Sequence, residues 1–206
     1  MLFRSGHMRS VKRSAYASVT VILLLAVAVL LGYVSDLLWT RWERYRYPMA
    51  FSEDVAACAE QYDLEEAVIY AMIKELSNFA SNQVSDDGRI GLMQLSEETF
   101  RYLTDEHLCE HLDSGLLYEP TTNIRYGCYY LLYLTTRYES WDAIFAAYLC
   151  GMENVDIWYG EWQTTSDTDR SEFVIPNTEV QRKVDKIQRT VEKYKELYDE
   201  KGDVKS

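Results

Sequence analysis

The sequence predicts an all-α fold preceded by a single N-terminal transmembrane helix, on three observations. Nine Gly and three Pro among 206 residues are too few turn formers for a sandwich or barrel, while Leu, Ala, Glu, Tyr and Lys are plentiful. Apolar and aromatic residues make up 48% of the chain, enough for a proper core, which excludes a wholly disordered polypeptide. One stretch of nineteen residues, from Ala15 to Tyr33, carries no charge. The length accommodates one domain of ordinary size plus a tail.

Charge divides the chain in the same place. The formal net charge is -12, with a pI near 4.7, which argues against a nucleic-acid partner because duplex binding rests on Lys and Arg neutralising phosphates. The first thirteen residues carry Arg4, Arg9, Lys12 and Arg13 and no acid, so a leader of +4 precedes 193 residues at -16.

The elements follow in order. Residues 1–14 read as a basic cytoplasmic leader and 15–33 as a transmembrane anchor, since nineteen helical residues span roughly 28 Å. A core helix would show a polar stripe and would not follow a basic leader. A cleavable signal peptide is the nearer competitor, but Ala26 and Ala28 lie inside the apolar run and Gly32 to Leu38 offers no small-x-small site, so a retained signal anchor is expected. Four basic residues before the span against Arg41, Arg44 and Arg46 after it place the N-terminus in the cytoplasm and the remainder outside the cell membrane. Residues 34–51 form an aromatic juxtamembrane stalk: Trp39, Trp42, Tyr45 and Tyr47 suit an interfacial belt or a stalk helix equally.

Helix-start signals recur beyond the stalk, at Ser52 before Glu53 and Asp54, Asp63 with Glu66, Ser96 before Glu97 and Glu98, and Ser140 before Trp141. The run Leu64 to Leu76 carries a deep apolar face at Val68, Ile69, Met72, Ile73 and Leu76. Further helices are predicted over about Thr122 to Tyr138 and over Trp141 to Tyr148, the latter short, nearly all apolar and central. A closing helix from about Thr178 to Glu200 keeps one stripe through Val180, Val184, Ile187, Val191, Tyr194 and Leu197. Ala80 to Ile90 reads as irregular with Gly88 and Gly91 at turns, and Gly160 to Glu172 as a loop. The helical domain is bounded at 52–200, with a tail at 201–206.

Four cysteines, Cys58, Cys109, Cys128 and Cys150, lack metal-ligand spacing. An even count outside the membrane permits two disulfides in three connectivities, but three of the four fall on apolar helical positions, so four separate buried thiols are expected. His107 and His111 stand four apart without a third ligand and read as an exposed polar face. No metal or organic cofactor is implied.

Ser77-Asn78-Phe79, then Asn82, Val84, Ser85 and Gly88, then Gly91-Leu92-Met93-Gln94-Leu95 resemble the signature of the soluble lytic transglycosylase family. Three later blocks agree in order and spacing: Asn123-Ile124-Arg125-Tyr126-Gly127 with Leu131, Ala146-Ala147-Tyr148 with Gly151 and Val155, and Ile175-Pro176 with Glu179 and Val184. The resemblance covers about residues 52 to 198 and is similar to membrane-anchored members. It implies a lysozyme-like helical transglycosylase domain acting on peptidoglycan glycan strands, with cell-wall synthesis proteins as further partners.

The implied chemistry needs one carboxyl group. A Glu ending the first core helix protonates the glycosidic oxygen between N-acetylmuramic acid and N-acetylglucosamine, then takes the proton of the sugar's own 6-hydroxyl as a 1,6-anhydro ring closes. Burial in an apolar cleft makes such a Glu an acid near neutrality. It contributes about two to four orders of magnitude in rate, with no second carboxylate placed to replace it. The alignment puts Leu76 at that position, and Leu carries no proton. Glu75 is adjacent, but one helical step turns a side chain by about 100°, which should point it away from the cleft. The family's Asn after Ala-Tyr is Leu149 here, and the Tyr of its closing block is Lys183.

Cleavage is therefore expected to be impaired or lost, with Ser77, Ser85, Met93, Gln94, Tyr148 and Glu179 retained as substrate-binding candidates. Three readings stand side by side: a module that binds glycan without cutting it, an active lytic transglycosylase using Glu75 or another carboxyl, and a helical interaction domain that has left glycan altogether.

Overall fold

The computed structural model describes residues 7–164 and 173–199, and the chain divides into two compact units, Met1–Pro48 and Met49–Ser206. The first unit is one helix, α1 (His7–Arg46), 40 residues without a break. From Thr20 to Arg46 it is apolar enough to cross a membrane, with a mean hydropathy of 2.5 and none of that span buried within the protein. The stalk expected after residue 33 continues the same helix. Trp39 and Trp42 lie 5.3 Å apart there, and the Arg46 guanidinium sits 4.8 Å over the Trp42 ring.

The regular elements of the second unit are all helices among its described residues, which contain isolated antiparallel bridges at Val84–Ile90 and Ile90–Leu95 and no strand. Helix α2 (Ser52–Tyr62) opens on Glu53 and Asp54, which suit the positive end of its dipole. Ser52 and Asp63 do not act as the expected caps. Phe51 takes a left-handed backbone, φ 61°, and accepts from the Val55 amide to close the first turn. Asp63, also left-handed at φ 53°, ends α2 by donating its N–H to Ala59 O, a position that Asp tolerates better than most residues.

Helix α3 (Glu66–Ser77) is buried from Ala67 to Ile73, which its continuous apolar run foretells. It packs on α2 and on the last long helix, α8 (Thr178–Tyr194). Short α4 (Glu97–Arg101) starts as read: the Ser96 hydroxyl accepts from Thr99 N at 3.0 Å. A wide turn over Tyr102–His107 and a tight one over Ser114–Tyr118 lead into α5 (Pro120–Thr135), whose first position suits Pro because no N–H is needed there. Helix α6 (Trp141–Cys150), capped by Ser140 on Asp142 N, is buried from Ala143 to Tyr148 and is the central element that its composition predicts.

The connection after α6 differs from expectation. Met152–Thr164 forms helix α7, so Gly160 to Thr164 are helical rather than loop, while 165–172 lie outside the described residues, as does the 201–206 tail. Val155 and Tyr159, one turn apart, are its buried anchors; Tyr159 meets Tyr138 edge-on at 5.3 Å, and its hydroxyl accepts from Glu139 N. Asp156 adds an ion pair to Arg137 at 2.8 Å and accepts from the Tyr138 hydroxyl at 2.6 Å. Burial first, and that carboxylate second, raise the Tyr138 phenol above its ordinary range.

The thiols also differ from the reading of four buried, separate groups. Cys58 and Cys128 are buried and share a hydrogen bond, Cys150 is half-buried, and Cys109 is exposed; all four are free. His111 pairs with Asp105 at 3.1 Å on the surface, and among the described residues no cluster of metal-ligating side chains occurs.

Candidate functional site

One cleft of about 390 Å³ opens in the second unit where the end of α3, the 80–95 loop, the end of α6 and α8 converge. The loop is built around two glycines with positive φ, Gly88 at 79° and Gly91 at 82°. At Gly91 no other residue fits. A Cβ there would stand 2.2 Å from the Asn123 side-chain nitrogen and 2.7 Å from Leu117 O. Asn123, fully buried on α5, accepts from Met93 N at 2.7 Å and donates to Ile90 O and Leu117 O at 2.9 Å each. Gly127 leaves room for Met93, whose sulfur would lie 2.3 Å from an added Cβ. The Gly-Leu-Met-Gln turn is thus clamped to α5 by one amide side chain and one missing side chain.

A guanidinium fixes the loop's other end. Arg89 donates to the carbonyls of Tyr148 at 2.9 Å and Leu149 at 2.8 Å, at the close of α6, and pairs with Asp87 at 3.0 Å. The Ser85 hydroxyl donates to Asp87 at 2.5 Å and accepts from Arg89 N at 3.0 Å. The hydrogen bond from Ser85, followed by the charge of Arg89, holds the Asp87 carboxyl below its usual range.

Leu76 at the end of α3 and Leu149 at the end of α6 both border the cleft. Glu75 borders the cleft as well, contrary to the expected rotation away, because α8 forms the adjoining wall and the opening extends over both residues. Its carboxylate is 10% exposed and already engaged: Lys186 Nζ lies 2.6 Å from one oxygen, and the Thr190 hydroxyl donates to the other at 2.7 Å.

The six binding candidates separate by whether they border the cleft, since Gln94 at 4% exposed is as buried as Ser77 at 3%. Ser85 and Gln94 line the cleft. Gln94, left-handed at φ 51°, donates its amide to Gln83 O and Gly91 O, and its side-chain oxygen has no hydrogen bond among the described residues. Ser77, Met93 and Tyr148 are inside the core. The Ser77 hydroxyl donates back to Ile73 O at 3.0 Å; Met93 packs on Gly127 and Cys128; and the Tyr148 hydroxyl donates to Met93 O at 2.8 Å. Complete burial pushes the Tyr148 phenol well up, so it stays a donor. Glu179 is exposed on the first turn of α8 and pairs with Lys183 at 3.2 Å, while the cap of that helix is Asn177, which accepts from Glu179 N and Val180 N.

Sequence reasoning missed the cations. Arg89, Arg182 and Lys186 border the cleft together with Lys183. The signal for three of them was present, since positions 182, 183 and 186 share one side of the closing helix. Nothing local announced Arg89, whose carbonyl partners lie about 60 residues on.

Chemically, the cleft presents apolar surface at Leu76 and Leu149, an amide at Gln94 and a cationic wall on α8. Its two carboxylates, Glu75 and Asp87, are both tied to cations and hydroxyls.

Comparison with known proteins agrees with this arrangement. The family model described as the Transglycosylase SLT domain matches residues 54–171, more than half of the chain. The chain is 28% identical over 130 residues to the soluble lytic murein transglycosylase of Salmonella typhimurium, a match that covers 62% of this chain and 20% of that protein. Among solved structures, the 70 kDa soluble lytic transglycosylase of Escherichia coli superimposes with a TM-score of 0.67 at 23% identity, over 75% of this chain and 25% of that one. An inactive mutant of lytic transglycosylase Slt from Pseudomonas aeruginosa gives a TM-score of 0.64 at 23% identity, with the same coverage. The matched segment spans a fifth to a quarter of these relatives. The all-α second unit has the lytic transglycosylase fold, and the chain belongs to the Transglycosylase SLT domain family.

Proposed function

We propose that this chain is a membrane-anchored glycan-binding member of its family, which holds peptidoglycan strands with cleavage impaired or lost. The observation that carries the reading is that Leu76 borders the cleft; the resemblance read from Ser77-Asn78-Phe79 sets this residue at the family's acid/base Glu. A general acid must reach the glycosidic oxygen with a proton to give. Leu76 has none, Asp87 is held ionised by Ser85 and Arg89, and both oxygens of Glu75 face donors on α8. The apolar floor and Gln94 supply what a sugar ring needs to bind, apolar surface and hydrogen bonding, without what it needs to react.

Anchoring is part of the same proposal. The apolar 20–46 helix and the basic leader support a single-pass protein with its N-terminus in the cytoplasm and its SLT domain outside, where peptidoglycan lies. Retention in the membrane pellet after alkaline carbonate, with the SLT domain digested by protease added to intact spheroplasts, checks this topology.

A second reading is favoured by one finding, that Glu75 does border the cleft: residual cleavage through that carboxylate. Digestion of purified peptidoglycan by the full chain, with mass spectrometry of 1,6-anhydro muropeptides, separates the two. The expected result is sedimentation with insoluble peptidoglycan and no anhydro product. Anhydro product that disappears in Glu75→Gln overturns the binding-only reading. Absence of sedimentation at low salt removes glycan binding itself.

A further inference from the structure

The cleft is the place where a strongly acidic chain gathers positive charge. Arg89, Arg182, Lys183 and Lys186 border it against Glu75 and Asp87, four cations to two anions, in a protein whose formal charge is -12. The cations are not equally committed. Arg89 is 24% exposed and is taken up by Asp87 and two carbonyls. Lys186 is matched by Glu75. These two pairs neutralise each other and leave the neighbours Arg182 and Lys183 on α8.

Lys183 pairs with Glu179 one turn away, both side chains more than half exposed, so that an incoming anion competes with an exposed helix-surface pair rather than with a buried one. Arg182 is exposed and has no carboxylate partner among the described residues. In a domain with so many acids, an unmatched guanidinium at the rim of a cleft is a chemical statement. Its planar fork is the side chain best suited to a carboxylate or a phosphate. In the same cleft, the half-buried Leu76 and Leu149 present the apolar surface that the C–H face of a sugar ring requires. A neutral saccharide would use the floor and Gln94 only. The cationic wall has a use when the sugar carries a negative group at its edge.

We infer that the cleft recognises a saccharide bearing an anionic group, a carboxylate or a phosphate, with the sugar against Leu76 and Leu149 and the anion held by Arg182 and Lys183. The inference rests on the glycan-binding reading above and specifies its ligand. Two sources share this chemistry: the lactyl carboxylate of a muramoyl residue that has lost its peptide, and a phosphate attached to a sugar polymer. Lys183 stands where the resemblance expects an aromatic residue, so the change that removes a ring also adds charge to the wall.

The test is an NMR titration of the isotope-labelled full chain in a neutral detergent with N-acetylmuramic acid, N-acetylglucosamine 6-phosphate and neutral N-acetylglucosamine. At least one anionic sugar should bind about tenfold more tightly than the neutral one, and the preference should shrink as NaCl rises from about 0.05 to 0.5 M. Arg182→Gln and Lys183→Gln should each weaken the anionic sugar about three- to tenfold and leave the neutral one unchanged. Both side chains are exposed, so unchanged melting temperatures identify a loss of binding as a loss of contact. Preference for the muramic acid assigns the carboxylate source, and preference for the phosphate assigns the other; both support the inference. Equal binding of neutral and anionic sugars, absence of binding by all three, or an anionic preference that survives the double substitution overturns it. Sedimentation with whole peptidoglycan is a separate readout, so the anion inference can fail while glycan binding stands.

Discussion

The carboxylate of Glu75 on α3 and the ammonium of Lys186 on α8 meet at 2.6 Å along one wall of the cleft. Glu75 is 10% exposed and Lys186 is 64% exposed, so the pair is only half shielded from water, and screening discounts its strength. A double-mutant cycle with Glu75→Gln and Lys186→Met should give a coupling of about 1 kcal/mol by chemical denaturation. A coupling near zero would mean that the Thr190 hydroxyl alone holds the carboxylate.

Leu76→Glu restores a carboxyl beside Leu149 and next to Glu75. General acid catalysis contributes about two to four orders of magnitude, so the single substitution should raise 1,6-anhydro product above the parent. The full gain is expected only with Leu149→Asn and Lys183→Tyr added, because the resemblance sets these two residues where the family carries Asn and Tyr. Product formation by the triple variant, quantified against each single one, checks the order.

Asn123→Ala should be among the most damaging changes in the domain. It leaves Met93 N and Leu117 O without the side chain that satisfies them, while Ile90 O keeps the Leu95 N–H. Each unsatisfied buried group costs about 1–3 kcal/mol, so a loss of about 3 kcal/mol or more is expected in denaturant titrations. Gly127→Ala should cost about 1–3 kcal/mol by overpacking against Met93.

Acid should loosen the loop through Asp87. Its folded value lies below the ordinary one, so its contribution is complete above about pH 4 and is lost as pH falls through the lowered value. Asp87→Asn removes that contribution at every pH. The denaturation midpoints of parent and variant should differ at neutral pH and converge as the pH falls below the lowered value.

Tyr70 offers the opposite case. Its hydroxyl is buried with no hydrogen-bond partner among the described residues, its ring stacks on Tyr194 at 5.4 Å, and burial pushes its phenol up to about 12. Tyr70→Phe keeps the stacking and removes the orphaned group. Stability should stay level or rise by about 1 kcal/mol, read as a melting temperature.

Helices α3, α6 and α8 were legible because each carries its signal locally: a continuous apolar run, a capped apolar decapeptide, and a long stripe. Helix α7 was not. Its burial rests on Val155 and Tyr159 alone, and the aromatic partners that hold it, Tyr138 and Phe173, lie outside its own sequence. Asp63 carried the chemistry of a start signal and served as a stop, since Asp suits both a cap and a left-handed turn. At the site, motif spacing located Leu76, Ser85 and Gln94 at the cleft. It did not distinguish them from Ser77, Met93 and Tyr148, because spacing along the chain does not tell a residue that builds the cleft from one that faces it. Glu75 was read from helix rotation alone, and the position of α8, more than a hundred residues later, decided its environment.

The ties from Arg89 to the carbonyls of Tyr148 and Leu149 make the cleft rim a strut rather than a hinge. A ligand that enters does not have to order the 80–95 loop, so little of its binding free energy is lost to conformational entropy. On the proposed glycan-binding reading, weak contacts with single sugars then accumulate along a strand, as they do in a clasp that is already closed to shape before its ligand arrives.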